Sequence, residues 1–287
     1  MKRILITGAS PRSFVGSSLC EALADEYTIL APGRAELDLT DAAAVRDYVS
    51  TAQLDAVVHC AVNGEGSAGE LDADLRMFFA LADCRSEYGR LIYLGSGAEF
   101  DKRLPMDGIT EEAFGRSMPV APYGFAKYVM NEYARSTDGI TNLRLFSGYG
   151  PRENWRQKFI SGLCCKALTG RPLTVRQDCL FDFVWIGDIV KAVRWAIEGS
   201  PAHSDYNLSS GTGVLLSEVA ALVKDISGSA SPVKVKSPGL ARPYVGSNAR
   251  LANASGIVFT PLRDGLTQML HYYEKNLANI DVELLSV

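Results

Sequence analysis

Arg3-Ile-Leu-Ile-Thr7-Gly8-Ala-Ser-Pro-Arg-Ser-Phe-Val-Gly16 opens the chain and decides its fold. Arg3–Thr7 reads as a short buried strand and Val15–Asp25 as a helix, so the segment between them is a strand-to-helix turn. Gly8 permits a tight turn and Gly16 lets the helix pack closely on the strand. The helix N-terminus then offers backbone N–H groups and a partial positive charge, which suits a pyrophosphate. The spacing departs from the common pattern. No third glycine lies between the two, the loop is about two residues longer than usual, and Ser13 stands where a middle glycine is expected. Taken alone, the turn is open between a dinucleotide cradle and an ordinary βα turn, and its place at the chain start between strand and helix favours the cradle. Its candidate cofactor contacts are Gly8, Ser10, Arg12, Ser13, Phe14, Val15 and Gly16.

Outward from this turn, strand-like and helix-like segments alternate: Tyr27–Ala31, Asp41–Thr51, Ala56–Cys60, Leu71–Glu87 and Arg90–Gly95. A loop rich in Gly, Pro and charge runs from Gly97 to Pro122, followed by a helix over Tyr123–Ser136 and a strand over Thr141–Phe146. This rhythm predicts an α/β fold with a Rossmann-type doubly wound parallel sheet and a smaller C-terminal substrate domain. The boundary falls near Gly150-Pro151. Residues 1–150 form the NADP-binding domain, which also receives part of 180–210, and residues 151–287 form the substrate domain. In the second half helices are expected at Phe159–Thr169, Gly187–Gly199, Ser217–Ser227 and Leu262–Asn276. Strands are expected at Pro172–Val175 and Phe181–Ile186, with Ser229–Ser247 irregular apart from a short strand at Val233–Lys236.

The second strand ends at Ala31-Pro-Gly33-Arg34, without the acidic residue that holds an adenosine ribose 2′-hydroxyl. An arginine there pairs instead with a 2′-phosphate, which points to NADP, with NAD as the alternative. Arg34 could also be a plain solvated loop residue. Asp38 and Leu39 are placed to border the adenine ring.

Composition narrows the remaining classes. With 47% hydrophobic and 22% charged residues the chain has the balance of a soluble globular protein, and a net charge of -4 with scattered basic residues argues against nucleic acid as partner. No apolar run approaches the roughly 18 residues that span a bilayer, and the apolar stretch at the start is too short for a signal peptide, so a cytoplasmic setting without membrane contact is expected. Six cysteines lack CxxC spacing and read as reduced thiols, and three histidines give little support to a metal site.

Tyr123 and Lys127, in Pro122-Tyr-Gly-Phe-Ala-Lys127, lie four residues apart and so on one helix face. A phenol titrates near 10, too high for proton exchange at neutral pH, and an ammonium held close favours the phenolate. The pair by itself could be an ordinary surface Tyr and Lys.

With these residues in view, the chain resembles the extended short-chain dehydrogenase/reductase family, the nucleotide-sugar epimerases, dehydratases and reductases. The likeness rests on the Thr7-Gly8…Gly16 turn, His59-Cys-Ala61, Leu94-Gly-Ser96-Gly-Ala-Glu-Phe100, Tyr123…Lys127, Arg144-Leu-Phe-Ser-Gly-Tyr-Gly-Pro151, Asp182-Phe-Val-Trp-Ile-Gly-Asp188 and Tyr206-Asn-Leu-Ser. Gly33-Arg-Ala-Glu-Leu-Asp-Leu-Thr-Asp41 looks most like the 4-ketoreductase branch that holds dTDP-4-dehydrorhamnose reductase and GDP-fucose synthase. The resemblance implies Ser96, Tyr123 and Lys127 as catalytic residues. Ser96 would bond the substrate oxygen, Tyr123 would give or take the proton, and Lys127 would tune Tyr123 and bond the nicotinamide ribose. It adds Cys60, Ala61, Val62, Phe146, Tyr123 and Lys127 to the cofactor contacts. On the substrate side the candidates are Ser96, Gly97, Ala98, Ser147, Arg152, Arg176 and Arg242, with Lys158 and Arg250 as further cations and Trp155 and Tyr244 open between stacking on a base and packing in the core.

Departures from the family pattern gather around the substrate. Ser147 replaces the usual Asn, Phe181 replaces an Arg, and Asn63–Gly69 is short and glycine-rich. Ala98 stands at the position of the cysteine that some relatives use to invert a centre, which gives a two-base epimerisation little support. The leading expectation is an NADPH-dependent reductase of a nucleotide-activated keto-deoxysugar. The alternatives are a 4-epimerase that retains NAD and a catalytically silent NADP-sensing protein. Leu75, Phe78, Phe79 and Ala82 form an apolar stripe that fits a homodimer interface or this domain's own sheet.

Overall fold

The computed structural model describes residues 1–11, 13–63 and 69–285. The first half runs β1 (Arg3–Thr7), α1 (Val15–Leu23), β2 (Thr28–Leu30), α2 (Ala42–Ala52), β3 (Ala56–His59), α3 (Glu70–Ala82), β4 (Arg90–Ser96), β5 (Met106–Ile109), α4 (Pro122–Arg135), β6 (Ile140–Leu145) and β7 (Gly148–Tyr149). The second half runs α5 (Phe159–Leu168), β8 (Leu173–Asp178), β9 (Leu180–Phe181), β10 (Val184–Trp185), α6 (Ile186–Glu198), β11 (Asp205–Leu208), β12 (Val214–Leu215), α7 (Leu216–Ser227), β13 (Val233–Leu240), β14 (Tyr244–Gly246), α8 (Ala249–Ser255) and α9 (Leu262–Lys275).

Six of these strands form one parallel sheet in the order β11-β6-β4-β3-β1-β2. Alternation along β1 sends Ile4 and Ile6 to one face, into a core with Leu19 and Leu23 of α1 and Ile189 and Val193 of α6. Leu5 goes to the other face, with Val45 of α2, Phe78 of α3 and Met130 of α4. Both faces are covered, which is why β1, β3 and β4 read as unbroken apolar runs. The chain winds outward from β1 to β2 and then returns to the far side of β1 as β3. That reversal opens a crevice over the carboxyl ends of the strands.

The sheet takes its edge strand β11 and the covering helix α6 from beyond residue 150. The rest of the second half builds small sheets, β13-β8, β10-β7 and β12-β9-β14-β5, packed with α5, α7 and α9. Among the described residues, no helix is long and apolar enough to cross a membrane.

Several elements differ from expectation. The helix expected over Leu71–Glu87 ends at Ala82, because Arg85 turns back and donates to the carbonyls of Tyr88, Gly89 and Gly139. The strand expected over Phe181–Ile186 is two short strands, broken where Asp182 accepts from the backbone N–H of Ser210 and the hydroxyls of Ser209 and Ser210. The supposedly irregular Ser229–Ser247 holds β13 and β14. Pro238 and Gly239 are tolerated because β13 is bonded on one side only and its register shifts between Ser237 and Leu240. Strand β5 lies within the expected loop Gly97–Pro122 and pairs with β14, a partner about 140 residues further along the chain. Of the apolar stripe on α3, Phe78 and Ala82 are buried against this chain's own sheet, and Leu75 and Phe79 are half-buried beside them.

Candidate active site

The opening turn is as tight as its glycines suggest. Gly8 has φ 69°, and a Cβ there would meet the backbone N of Ala61 at 2.6 Å, while a Cβ on Gly16 would meet the carbonyl of Gly8 at 2.3 Å. Turn, α1 and the end of β3 therefore close on one another with backbone only. Ser13 takes part through its hydroxyl oxygen, which accepts the N–H of Ser17 at 3.1 Å. The Arg12 contact expected from sequence lies outside the described residues.

Beside this turn a cavity of about 180 Å³ is lined by Gly8, Ser10, Arg34, Leu37, Asp38, Leu39, Ala61, Val62 and Met77 among others. Its apolar walls suit a planar base. Arg34 stands at its rim with a side chain 75% exposed and Nε 3.6 Å from the Asp38 carboxylate. A hydrogen bond from Thr40 holds Asp38 below the usual carboxylate range, with Arg34 a lesser cause. Gly8 and Val62 also line a second, larger cavity of about 670 Å³, so the two are adjacent. The second holds Ser13, Phe14, Val15, Gly16, Cys60, Ser96, Tyr123, Phe146, Ser147, Arg152 and Arg242 of the residues singled out from sequence.

Ser96 ends β4 and caps the short turn that follows. Its Oγ accepts the N–H of Ala98 at 3.1 Å, and its own N–H goes to Glu99 Oε1 at 2.9 Å. Pro122 starts α4, where its missing N–H costs nothing. Gly124 then lets the first turn of α4 rest on Ala98, since a Cβ would come within 2.4 Å of that carbonyl. This contact brings Tyr123 to the same cavity as Ser96. One turn on, Lys127 is 1% exposed, donates to the Leu94 carbonyl at 3.1 Å and sits 5.9 Å from the centre of the Tyr123 ring. Burial lowers its pKa, while Asp74, Glu99 and Cys60 oppose that shift. Behind it, His59 bonds Thr7 at 2.8 Å, and burial holds its imidazole down at about 3, so it is neutral.

Below Ser96 lies a charge cluster that sequence reading did not find. Arg144 is fully buried, with Nε 2.7 Å from Glu99, one Nη 2.8 Å from Asp205 and the other 2.9 Å from Asn207. Asn142 also donates to Glu99. Burial pushes the Glu99 carboxyl up, and Arg144 pulls it back. The sequence held a signal for this cluster, an arginine flanked by Leu143 and Leu145 in strand β6, which a buried strand carries only with partners.

Other candidates fall elsewhere. Gly97 and Ala98 are buried in the turn after Ser96 and do not line the cavity. Arg176 is exposed and lines a neighbouring cavity of about 620 Å³ with Trp155, Arg156, Lys158, Lys166 and Lys236. Lys158 borders both cavities. Arg250 is spent on Asp205, Glu111 and Glu112, so it is no substrate cation. The Tyr244 ring is packed between Phe181 and Phe146 and cannot stack on a base. Glu153, not singled out from sequence, lines the large cavity while 6% exposed. It accepts the Ser161 hydroxyl, and burial pushes its carboxyl up to about 7.

Comparison with known proteins fits this geometry. The model of the NAD dependent epimerase/dehydratase family matches residues 4–209. ADP-L-glycero-D-manno-heptose-6-epimerase of Nitratidesulfovibrio vulgaris (strain DP4) is 26% identical over 178 residues, 55% of this chain and 55% of that protein, so the chain spans about half the length of the curated relatives it matches first. Two solved structures share the fold over nearly the whole chain. UDP-glucose 4-epimerase of Thermotoga maritima with UDP-glucose has TM-score 0.83 at 20% identity, covering 96% of this chain and 99% of that one. GDP-L-fucose synthetase of Naegleria fowleri bound to NADP has TM-score 0.82 at 17% identity, covering 96% and 94%. With the family model spanning most of its length, the chain belongs to the NAD dependent epimerase/dehydratase family.

Proposed function

We propose that this chain is an NADPH-dependent reductase acting on the keto group of a nucleotide-activated deoxysugar. One observation carries the reading: Ser96 and Tyr123 line one cavity, with the buried Lys127 ammonium beside the Tyr123 ring, and that cavity shares Gly8 and Val62 with the cavity that Arg34 borders. The crevice fits a nicotinamide dinucleotide, because the Gly8–Gly16 turn leaves a backbone cradle that side chains would fill. The residues that would hold it are the turn, Arg34, Asp38 and Leu39 at the adenosine end and Val62, Tyr123 and Lys127 toward the nicotinamide. When bound, that cofactor supplies the hydride.

The chain's own residues do the rest. Ser96 bonds the substrate oxygen and fixes the carbonyl. Tyr123 gives that oxygen a proton as it becomes a hydroxyl. Lys127 stabilises the phenolate left behind, which lowers the cost of the proton's departure. Arg152, Lys158 and Arg242 supply positive charge for a diphosphate, and the adjoining cavity with Trp155, Lys166 and Arg176 has room and charge for the nucleotide. The reading divides the chain into a cofactor unit, residues 1–150 with 186–208, and a substrate unit made of the remainder. It places the enzyme in the cytoplasm, as a homodimer that supplies a sugar for surface polysaccharide or a glycosylated metabolite.

The test is a panel of UDP-, dTDP-, GDP- and ADP-linked 4-keto-6-deoxysugars, with NADPH absorbance followed in each. Consumption of NADPH in step with alcohol product supports the reductase, and no consumption with any member defeats it. A second reading, a 4-epimerase with retained NAD, is favoured by the heptose epimerase match and by the Asp38 carboxylate at the ribose rim. It predicts NAD in the protein as purified and turnover without added cofactor.

A further inference from the structure

Glu99 places a fully buried carboxylate beside the catalytic candidate Ser96. Past Tyr93, where its pairing with β3 ends, strand β4 continues along β6, with Gly95 opposite Arg144 and Ser96 opposite Leu145. Glu99 folds back over this stretch. Its Oε1 accepts the Ser96 N–H at 2.9 Å and the Asn142 amide at 3.1 Å. Its Oε2 accepts the same amide at 2.9 Å and Arg144 Nε at 2.7 Å. Asn142 and Arg144 lie two residues apart on β6 and so reach the carboxylate from one face of the sheet. Gly95 leaves the place open for it, since a Cβ there would meet Glu99 Oε1 at 2.2 Å and Asn142 Oδ1 at 2.1 Å.

Burying an ion pair costs about as much in desolvation as the attraction returns, so stability alone does not account for this one. An acceptor for the Ser96 N–H could also come from a glutamine, as in other capping boxes. Here three donors converge on the one group, and an amide would turn its NH2 toward one side or the other at either flip. The position therefore requires two acceptor oxygens. We propose that Glu99 is a positioning residue for Ser96: held by Arg144 and Asn142, it fixes the Ser96 backbone, and the Ala98 N–H fixes the side chain by donating to Oγ at 3.1 Å, so the hydroxyl meets the substrate oxygen at one set place. Arg144 is anchored in turn by Asp205 at 2.8 Å and Asn207 at 2.9 Å, which ties the serine to the edge strand β11. A serine ordered when the chain folds loses no freedom when substrate arrives. The inference rests on the reductase reading for the identity of that substrate, and the hold itself is independent of it.

Glu99→Gln keeps the size of the side chain and sets an amide N–H against either Ser96 or Arg144. With the keto-sugar nucleotide of the panel that the wild type reduces fastest, kcat is expected to fall about tenfold while KM and NADPH affinity stay unchanged. In a Ser96→Ala background the same change is expected to have no further effect on kcat. In the protein without ligands, hydrogen exchange at the Ser96 and Ala98 amides is expected to quicken about tenfold relative to the other amides of β4. Asn142→Ala keeps the Glu99 charge and removes one of its two holds. It is expected to give the same pattern at about threefold, and it decides the matter if Glu99→Gln does not fold. Unchanged exchange at both amides overturns the proposal, as does a kcat loss that persists in full in Ser96→Ala. A lowered melting temperature with kcat unchanged overturns it too, because Glu99 would then only stabilise the fold. If no panel member is reduced, the reductase reading falls, and exchange at the two amides still decides whether Glu99 holds Ser96.

Discussion

Beneath Ser96 the charges are withdrawn from water and bonded to one another, whereas the cations across the same cavity stand in solvent. Arg144, Glu99 and Asp205 are buried and joined at 2.7 and 2.8 Å. On the other wall Arg242 and Lys158 are exposed, as is Arg176 in the adjoining cavity, and Arg152, 45% exposed, is held 2.8 Å from Glu21. Groups already fixed lose no freedom when a ligand arrives, and their fields act through a medium of low polarisability. Flexible surface cations give charge without fixed geometry, and ordering each long side chain costs rotamer entropy. The difference assigns chemistry to the first region and recognition to the second.

If that division holds, the largest loss comes from the buried side. Tyr123→Phe removes the one phenol that lines the cavity on α4, and turnover is expected to drop at least a thousandfold with NADPH affinity unchanged. Steady-state rates and a fluorescence titration of NADPH check it, and a drop under tenfold breaks the assignment. Arg144→Met comes next. It leaves the Glu99 carboxylate buried without its cation and Asp205 with Arg250 alone, so urea unfolding is expected to show a loss of about 3–4 kcal/mol. Arg176→Ala, in the exposed set, is expected to stay within about 0.5 kcal/mol. Similar losses in the two variants would erase the contrast between the regions.

The same contrast explains what the sequence revealed. Local signals carried the sheet: apolar runs in β1, β3 and β4, the glycine turn, and the four-residue spacing of Tyr123 and Lys127 all lie within a few residues of what they determine. The charge cluster did not show itself as a cluster, because Glu99, Arg144, Asp205 and Arg250 meet only through tertiary structure. Arg250 looked like any other cation in the variable half, and its three acidic partners come from two distant segments. Tyr244 stayed open between stacking and core packing for a related reason. Its neighbours Phe146 and Phe181 lie about 100 and 60 residues away, so nothing near it in the chain showed that its faces were covered. Strand β5 escaped notice because it has four residues and its partner β14 is distant.

Glu153 is the carboxyl that sits between the two regimes, buried yet facing the cavity among Lys158, Tyr149, Cys164 and Tyr273. Its folded pKa of about 7 exceeds the 4.5 of an ordinary glutamate carboxyl, so between those values the folded chain holds a proton that the unfolded chain has lost. Stability therefore falls as pH rises through that window and levels off above it. Glu153→Gln, which keeps the shape and an acceptor for Ser161, is expected to remove the slope, with a gain of roughly 3 kcal/mol over wild type at pH 8. Unfolding in urea at pH 5, 7 and 8 checks it, and parallel curves for the two proteins would show that the Glu153 side chain is hydrated.

The smallest effect concerns the adenosine rim, where an exposed cation is asked to discriminate between cofactors. Among the described residues Arg34 pairs with Asp38 at 3.6 Å, four positions on in the chain, an exposed contact that contributes little and is easily exchanged for a better anion. A 2′-phosphate is such an anion, carrying more charge and more acceptors than one carboxylate. Against NADH the same arginine has nothing to bond, and Asp38 is left facing the ribose. Arg34→Ala is therefore expected to weaken NADPH about tenfold and to leave NADH affinity unchanged, measured by calorimetric titration of each. Asp38→Ala should act in the opposite sense, weakening NADH and sparing NADPH. Equal losses for both cofactors in Arg34→Ala would make the residue a general phosphate contact, and the rim would then favour the epimerase reading with retained NAD.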